Sequence, residues 1–140
     1  MRVFLDTSAL AKRYVAEPGT EAVLQICARA QVLIIAVVAA PELISAFCRL
    51  RREGRITASR YAALKKDFFT DIADAVVCDT TPEVLRQAID LLERHPLRGM
   101  DAIHIGAAQV CEADVFVSAD ARQCAACKGL GMKIINLAVS

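Results

Sequence analysis

The chain has 140 residues and a mass of 15.1 kDa, so we expect a single domain over residues 1–140. Seventeen basic against sixteen acidic residues give a formal charge of +1, which excludes nucleic-acid binding through bulk charge alone. Hydrophobic residues make up 56% of the chain, which excludes a disordered protein. The longest apolar run, Val32–Ala40, is too short for a membrane span, and the N-terminus lacks a signal-peptide core. We therefore expect a cytoplasmic protein that has no membrane partner.

Five short apolar runs have the length and the β-branched content of buried strands. They are Val3–Leu5, Val32–Ala36, Ala75–Cys78, Val115–Ser118 and Lys133–Asn136. Segments of helical character alternate with these runs. Alternation of helices with fully apolar strands predicts a parallel sheet covered on both faces, which is a three-layer α/β/α architecture.

The predicted helices begin at caps or prolines and end at glycines or charged turns. They are Thr20–Ala28, Pro41–Arg52, Thr57–Ile72, Pro82–Arg94, Asp101–Glu112 and Ala121–Lys128. Two of them, Pro41–Arg52 and Thr57–Ile72, fall between the second and third strands. We expect these two to form a helical hairpin inserted into an otherwise regular series of strands and helices.

Four carboxylates fall where a parallel sheet would place them at one edge. Asp6 and Asp120 follow the first and fourth strands, and Glu42 and Asp101 each lie in the first turn of a helix. For Glu42 and Asp101 taken singly, a favourable helix-end charge explains the position equally well. Open parallel sheets bind ligands at this edge, and converging carboxylates either protonate or bind a cation. No Cys or His set accompanies them, so hard oxygen ligands favour Mg²⁺ or Mn²⁺.

The segments around these acids carry a family resemblance. They are Asp6-Thr7-Ser8, Pro41–Ala46, Leu97–His104 and Phe116–Asp120. In order and spacing they resemble the four acidic motifs of PIN-domain ribonucleases, and among these the VapC-type toxins of type II toxin–antitoxin systems. The resemblance covers residues 3 to about 136. It implies a PIN-like fold whose five parallel strands have the order 3-2-1-4-5, with Asp6 and Asp120 on adjacent strands where the winding reverses.

The same resemblance implies an activity, which is metal-dependent endonucleolytic hydrolysis of RNA phosphodiester bonds with Mg²⁺ or Mn²⁺. Four residues match the catalytic acidic quartet: Asp6, Glu42, Asp101 and Asp120. The three aspartates are the expected metal ligands, with Glu42 binding directly or through water. Thr7 and Ser118 match hydroxyl positions beside the quartet. The implied partners are an RNA substrate, a cognate antitoxin that covers the acidic site, and a second copy in a homodimer.

Basic residues concentrate in the predicted hairpin, where seven of them fall within residues 49–66. Four are candidates for contacts with RNA phosphates: Arg49, Arg51, Arg52 and Arg55. A solvated helical hairpin explains the same charges equally well.

His104 lies three residues after Asp101 on the same helix face, where it could orient that carboxylate. A packed core histidine explains the position better. Cys124 and Cys127 have the spacing of a redox pair. They lack a facing proline loop and the two further ligands that zinc would need, so we expect ordinary reduced thiols.

Two other functions account for part of the pattern. One is phosphate transfer on a similar sheet, but a phosphatase of the haloacid-dehalogenase type would need a second Asp where Ser8 stands. A response-regulator receiver would use Asp79, yet its basic residue after the fifth strand is missing. The other function is a catalytically silent PIN module that binds RNA or protein, and the intact quartet argues against it.

Overall fold

The computed structural model describes residues 1–138, and its centre is a five-stranded parallel sheet. The strands are β1 Arg2–Leu5, β2 Val32–Ala36, β3 Val76–Cys78, β4 Val115–Ser118 and β5 Lys133–Asn136. Their order is β3-β2-β1-β4-β5, and every neighbouring pair is parallel. The predicted strand order is therefore confirmed. Since β1 pairs with β2 on one side and β4 on the other, the winding reverses at β1, as in other open α/β sheets.

Helices connect the strands in the described part of the chain. They are α1 Thr7–Tyr14, α2 Thr20–Arg29, α3 Ala39–Arg52, α4 Ala58–Ile72, α5 Pro82–Arg94, α6 Gly99–Val110 and α7 Ala121–Ala126. The inserted hairpin is α3 and α4, as predicted. Helix α6 ends at Val110, earlier than the predicted Glu112, whose φ of 56° is incompatible with a helix. No helix in the described residues is long and apolar enough to span a membrane.

Helix α1 is not among the predicted helices. It begins directly after β1, and Asp6 lies at the junction. The backbone of Asp6 is extended, and its side chain accepts a hydrogen bond from the backbone N–H of Ala9 at 2.9 Å. This is the geometry of a helix N-cap. Asp6 therefore ends β1 and starts α1 without a connecting loop, and one residue serves as a cap and as a candidate site residue.

The sheet separates two hydrophobic clusters, because successive side chains of a strand point to opposite faces. Phe4 of β1 lies in the cluster covered by α5 and α6, which includes Leu91 and Ile105. Leu5 lies in the cluster covered by α1, α3 and α4, which includes Phe47. The central strands β1 and β4 are thus covered on both faces, as predicted, whereas the edge strand β3 is partly open, with Val76 and Val77 each 38% exposed. The two layers hold the carboxyl end of β1 in place from both sides.

Capping residues fix where two of the helices start, and one glycine allows a close approach between helices. Thr57 caps α4 by accepting a hydrogen bond from the N–H of Arg60 at 3.0 Å, and Thr81 caps α5 in the same way. Gly106 lies where α6 crosses α5, and a Cβ at this position would lie 2.8 Å from the backbone oxygen of Val84. Helices α5 and α6 therefore approach each other more closely than any side chain at residue 106 would allow.

Candidate active site

Asp6 is the centre of a polar network at the carboxyl ends of β1 and β4. Its side chain is only 2% exposed. One carboxylate oxygen accepts hydrogen bonds from Ser8 Oγ at 2.7 Å and from the N–H of Ala9, and the other accepts from Ser118 Oγ at 2.7 Å. Burial raises the pKa of Asp6, while the hydrogen bonds from Ser118, Ala9 and Ser8 oppose that rise.

Two backbone amides after β4 hold the hydroxyl groups that face Asp6. The N–H of Ala119 donates to Ser8 Oγ at 2.9 Å, and the N–H of Asp120 donates to Ser118 Oγ at 2.9 Å. Each hydroxyl accepts from the backbone and donates to the carboxylate, an arrangement in which hydrogen bonds strengthen one another. The ends of β1 and β4 are joined by these contacts in addition to their strand pairing.

Gln123 connects the other two aspartates, and its side chain is only 2% exposed. Its Nε2 donates to Asp101 Oδ1 at 2.9 Å, and its backbone N–H donates to Asp120 Oδ1 at 3.4 Å. Its Oε1 lies 3.3 Å from Ser118 Oγ. Asp6, Asp101 and Asp120 are therefore linked through Ser118 and Gln123 into one network.

Glu42 reaches the same region from the first turn of α3. Its Oε1 accepts a hydrogen bond from Thr7 Oγ1 at 2.7 Å and lies 2.6 Å from Nε2 of His104. Burial acts to raise the pKa of Glu42, but the hydrogen bonds from His104 and Thr7 outweigh it and lower that pKa below its ordinary value. His104 is buried, yet it contacts Glu42 and not Asp101, because α6 directs its ring toward α3.

The structure brings the four predicted acids to one end of the sheet. Their side chains are not close enough together to coordinate one metal ion as they stand. Within residues 1–138, no three His, Cys, Asp or Glu side chains are placed to hold a metal ion. The chemistry of the donors nevertheless fits a hard cation, since every candidate ligand is a carboxylate oxygen. Asp6 accepts from three neutral donors, of which Ser8 Oγ contacts both carboxylate oxygens, at 2.7 and 2.9 Å.

The four candidate arginines occupy different surroundings. Arg49 lines an open groove of about 360 Å³ together with Glu42, Ser45 and Met100. The guanidinium of Arg51 lies 5.7 Å from the ring centroid of Tyr61.

The other two arginines are exposed at the end of α3 and beyond it. Arg52 is one of them, and Arg55 lies 3.8 Å from the carboxylate of Glu53. Arg49 therefore has the strongest geometric connection to the acidic residues.

The two cysteines with redox spacing are buried thiols. Cys124 is 4% exposed and Cys127 is fully buried, and all six cysteines of the chain are free. Burial raises the pKa of Cys124 to about 11 and that of Cys127 to about 12. Both thiols are therefore protonated at neutral pH, which is the form that neither attacks disulfides nor binds zinc.

Ser8 and Gln123 are site residues that the sequence pattern does not identify. Asp120 and Gln123 have the spacing of a capping box, but only the backbone N–H of Gln123 bonds to Asp120, while its side chain donates to Asp101. Ser8 has no comparable signal. Its hydroxyl is placed by the N–H of Ala119, which is distant in sequence and becomes a neighbour only after β1 and β4 pair.

Comparison with known proteins places this chain in a family. A model of the PIN domain matches residues 3–129, and the chain belongs to the PIN-domain family. No curated protein matches the chain by sequence.

Solved structures of similar fold include toxins and toxin–antitoxin complexes. The Mycobacterium tuberculosis toxin VapC20, described as cleaving the sarcin–ricin loop, is 19% identical with a TM-score of 0.67, over 89% of this chain and 94% of that one. A toxin–antitoxin complex from Klebsiella pneumoniae is 12% identical with a TM-score of 0.69, over 96% and 97%. DNA-bound VapBC from Salmonella typhimurium is 17% identical with a TM-score of 0.69, over 98% of each chain. At these identities the likeness concerns the fold.

Proposed function

We propose that this chain is a metal-dependent endoribonuclease and the toxin of a toxin–antitoxin pair. One observation carries the proposal. Asp6, Asp101 and Asp120 are linked in one network at the carboxyl edge of the sheet, and within residues 1–138 none of them forms an ion pair. Neutral hydroxyl and amide groups orient these carboxylates without neutralising their charge. Such a group of anions is suited to a cation.

The chain's own residues would hold a divalent cation and orient the reaction. Asp6, Asp101 and Asp120 are the proposed ligands of Mg²⁺ or Mn²⁺, and Ser8, Ser118 and Gln123 keep their carboxylates in place. When bound, the cation supplies activation of a water molecule and neutralisation of charge on the phosphate. Glu42 retains an oxygen, Oε2, that accepts no hydrogen bond from the described residues, and it lines the open groove. Glu42 is therefore available to the water or to the cation.

The groove beside Glu42 is our proposed path for the RNA backbone. One face of α3 carries Glu42, Ser45 and Arg49. An RNA strand lying in the groove would therefore pass the acidic site and then the Arg49 guanidinium. An arginine contact with phosphate carries no sequence information, and we propose that Arg49 positions RNA without selecting it. Arg51, Arg52 and Arg55 remain secondary candidates for the same role.

We also propose a cytoplasmic location, a cognate antitoxin and a homodimer. The similarity of fold to toxin–antitoxin complexes from Klebsiella pneumoniae and Salmonella typhimurium supports the antitoxin. An apolar stripe on α5 supports a protein partner of some kind. Leu85, Ile89 and Leu92 lie at helical spacing on this stripe and are between 37% and 57% exposed.

The test is cleavage of end-labelled, random-sequence RNA by the purified chain with Mg²⁺, with Mn²⁺ and with a chelator. We expect cleavage that depends on the metal and falls by about 100-fold or more in Asp6→Asn and Asp120→Asn. Arg60→Gln on the exposed surface of α4 serves as a matched control and should cleave normally.

Two results would contradict the proposal. Full activity in Asp6→Asn would exclude the site, and binding of RNA without any turnover would identify a silent PIN module.

A phosphatase is disfavoured because Ser8 stands at the position where that class requires an Asp. The Ser8 hydroxyl donates a hydrogen bond to Asp6 at 2.7 Å.

A further inference from the structure

We propose that His104 is a positioning residue that fixes the orientation of the Glu42 carboxylate. The inference rests on the proposed function, in which Glu42 is part of the acidic quartet. Glu42 belongs to α3 and His104 to α6, so the contact joins two helices through residues that lie 62 positions apart in the chain. Sequence periodicity pairs His104 with Asp101 on its own helix, and the structure assigns it a different partner.

The geometry determines which ring nitrogen of His104 carries a proton. Nε2 lies 2.6 Å from Glu42 Oε1, and a ring nitrogen without a proton would bring two lone pairs together at that distance. Nε2 is therefore the donor. Thr7 Oγ1 donates its single proton to the same oxygen at 2.7 Å. It also lies 3.2 Å from Nε2 of His104, from which it accepts a second, weaker hydrogen bond.

The surroundings of the ring show that this contact dominates its polar interactions. His104 is 2% exposed, and Nδ1 is buried without a hydrogen-bond partner among the described residues. A buried polar atom without a partner costs free energy, so a histidine is a poor choice for simple packing at this position. The apolar contacts of the ring, such as the edge-on approach to Phe4 with centroids 6.2 Å apart, would suit a leucine as well.

The two carboxylate oxygens of Glu42 therefore have different roles. Oε1 is held by two neighbouring donors, Thr7 on α1 and His104 on α6. Oε2 accepts no hydrogen bond from the described residues and belongs to a side chain that lines the groove. A carboxylate held by one oxygen cannot rotate freely, so the other oxygen keeps a fixed direction. Such pre-organisation lowers the cost of placing a reacting group.

The experiment compares His104→Leu, which removes the donor, with His104→Gln, whose side-chain amide can place an N–H near the same point. Thr7→Val removes the other donor without disturbing the core. Tyr14→Phe is the matched control, since it deletes a partly buried hydrogen bond of similar length, 2.7 Å to Asp71, away from the quartet. Each protein is assayed for kcat and KM on end-labelled, random-sequence RNA, for Mn²⁺ affinity by calorimetry without RNA, and for thermal unfolding.

We expect His104→Leu to lower kcat by about 10- to 100-fold with little change in KM, and His104→Gln to recover most of the loss. Tyr14→Phe should lose stability but not kcat, which separates positioning from a general effect on folding. The inference is overturned if His104→Leu is folded and cleaves at the wild-type rate, or if His104→Gln is as slow as His104→Leu.

Two further outcomes remain decisive. If His104→Leu does not fold, Thr7→Val is used as the test variant. An unchanged kcat in that variant then contradicts the proposal that donors to Oε1 position Glu42. If the wild-type chain cleaves no RNA, the proposed function fails on its own account. The positioning role is then judged by the imidazole nitrogen shifts in nuclear magnetic resonance, where protonation of Nδ1 alone would refute it.

Discussion

Replacement of Gly106 by alanine tests how closely α5 and α6 must pack. The new Cβ would lie 2.8 Å from the backbone oxygen of Val84 and 3.4 Å from the backbone nitrogen of Ala88. The first distance is too short for any carbon–oxygen contact, and the backbone of α5 cannot rotate away as a side chain would. The two helices must therefore separate by about half an ångström, with loss of dispersion contacts along their whole interface.

The expected free-energy change is a balance of two effects. Alanine is favoured over glycine inside a helix by about 1 kcal/mol, while overpacking of this kind costs about 1 to 3 kcal/mol. We expect a net loss of about 1 kcal/mol in the free energy of unfolding, measured by urea denaturation. Because α6 carries Asp101 and His104, its displacement should also reduce RNA cleavage.

Gly99 provides the matched control for this prediction. It is the first residue of α6, and a Cβ at this position would have nothing within 4 Å. Gly99→Ala should therefore be as stable as the wild type or slightly more stable. If Gly106→Ala is also as stable as Gly99→Ala, the close approach of the two helices does not constrain residue 106, and the reasoning is refuted.

Three further predictions concern the site. Burial raises the pKa of Asp6 above 3.8, so the folded chain retains that proton to a higher pH than the unfolded chain. Without metal, wild type should therefore lose stability relative to Asp6→Asn in thermal unfolding as the pH rises above 3.8 and through the raised pKa of folded Asp6, and parallel curves would contradict this. Gln123→Leu removes the amide bonded to Asp101 at 2.9 Å and should weaken Mn²⁺ binding in calorimetry by about 10-fold, whereas unchanged affinity would exclude its role. Arg49→Gln should reduce the slope of RNA affinity against salt by about 0.7 in a log–log plot, whereas Arg60→Gln should leave it unchanged.

The sheet could be predicted from the sequence because its signals are local. The strands are continuous apolar runs, and the caps at Thr57 and Thr81 are adjacent to the helices that they start. The strand order came from the family resemblance and not from the runs themselves. Helix α1 has no such signal, because Asp6 follows β1 directly and no turn residues separate the strand from the helix.

The contacts within the site could not be predicted, because they join residues far apart in the chain. Ser118 and Asp6 are separated by 112 positions, and Glu42 and His104 by 62. Helical periodicity relates His104 only to its own helix, which is why it suggested Asp101. The same limit applies to the arginines, since exposure and charge do not distinguish Arg49 from Arg51 until α3 is placed beside Met100.

The pairing of β1 with β4 has a consequence for the time at which the site can exist during synthesis. A ribosome delivers Asp6 early, but its hydroxyl partner Ser118 is made 112 residues later. Domains complete their long-range pairing only after the later strand has been delivered. Until then Asp6 lacks Ser118, Asp101 lacks Gln123, and the edge that would hold a cation is unfinished. A growing chain of this topology therefore carries no assembled site until Ser118 and Gln123 have been made, and the nuclease proposed above cannot act before then.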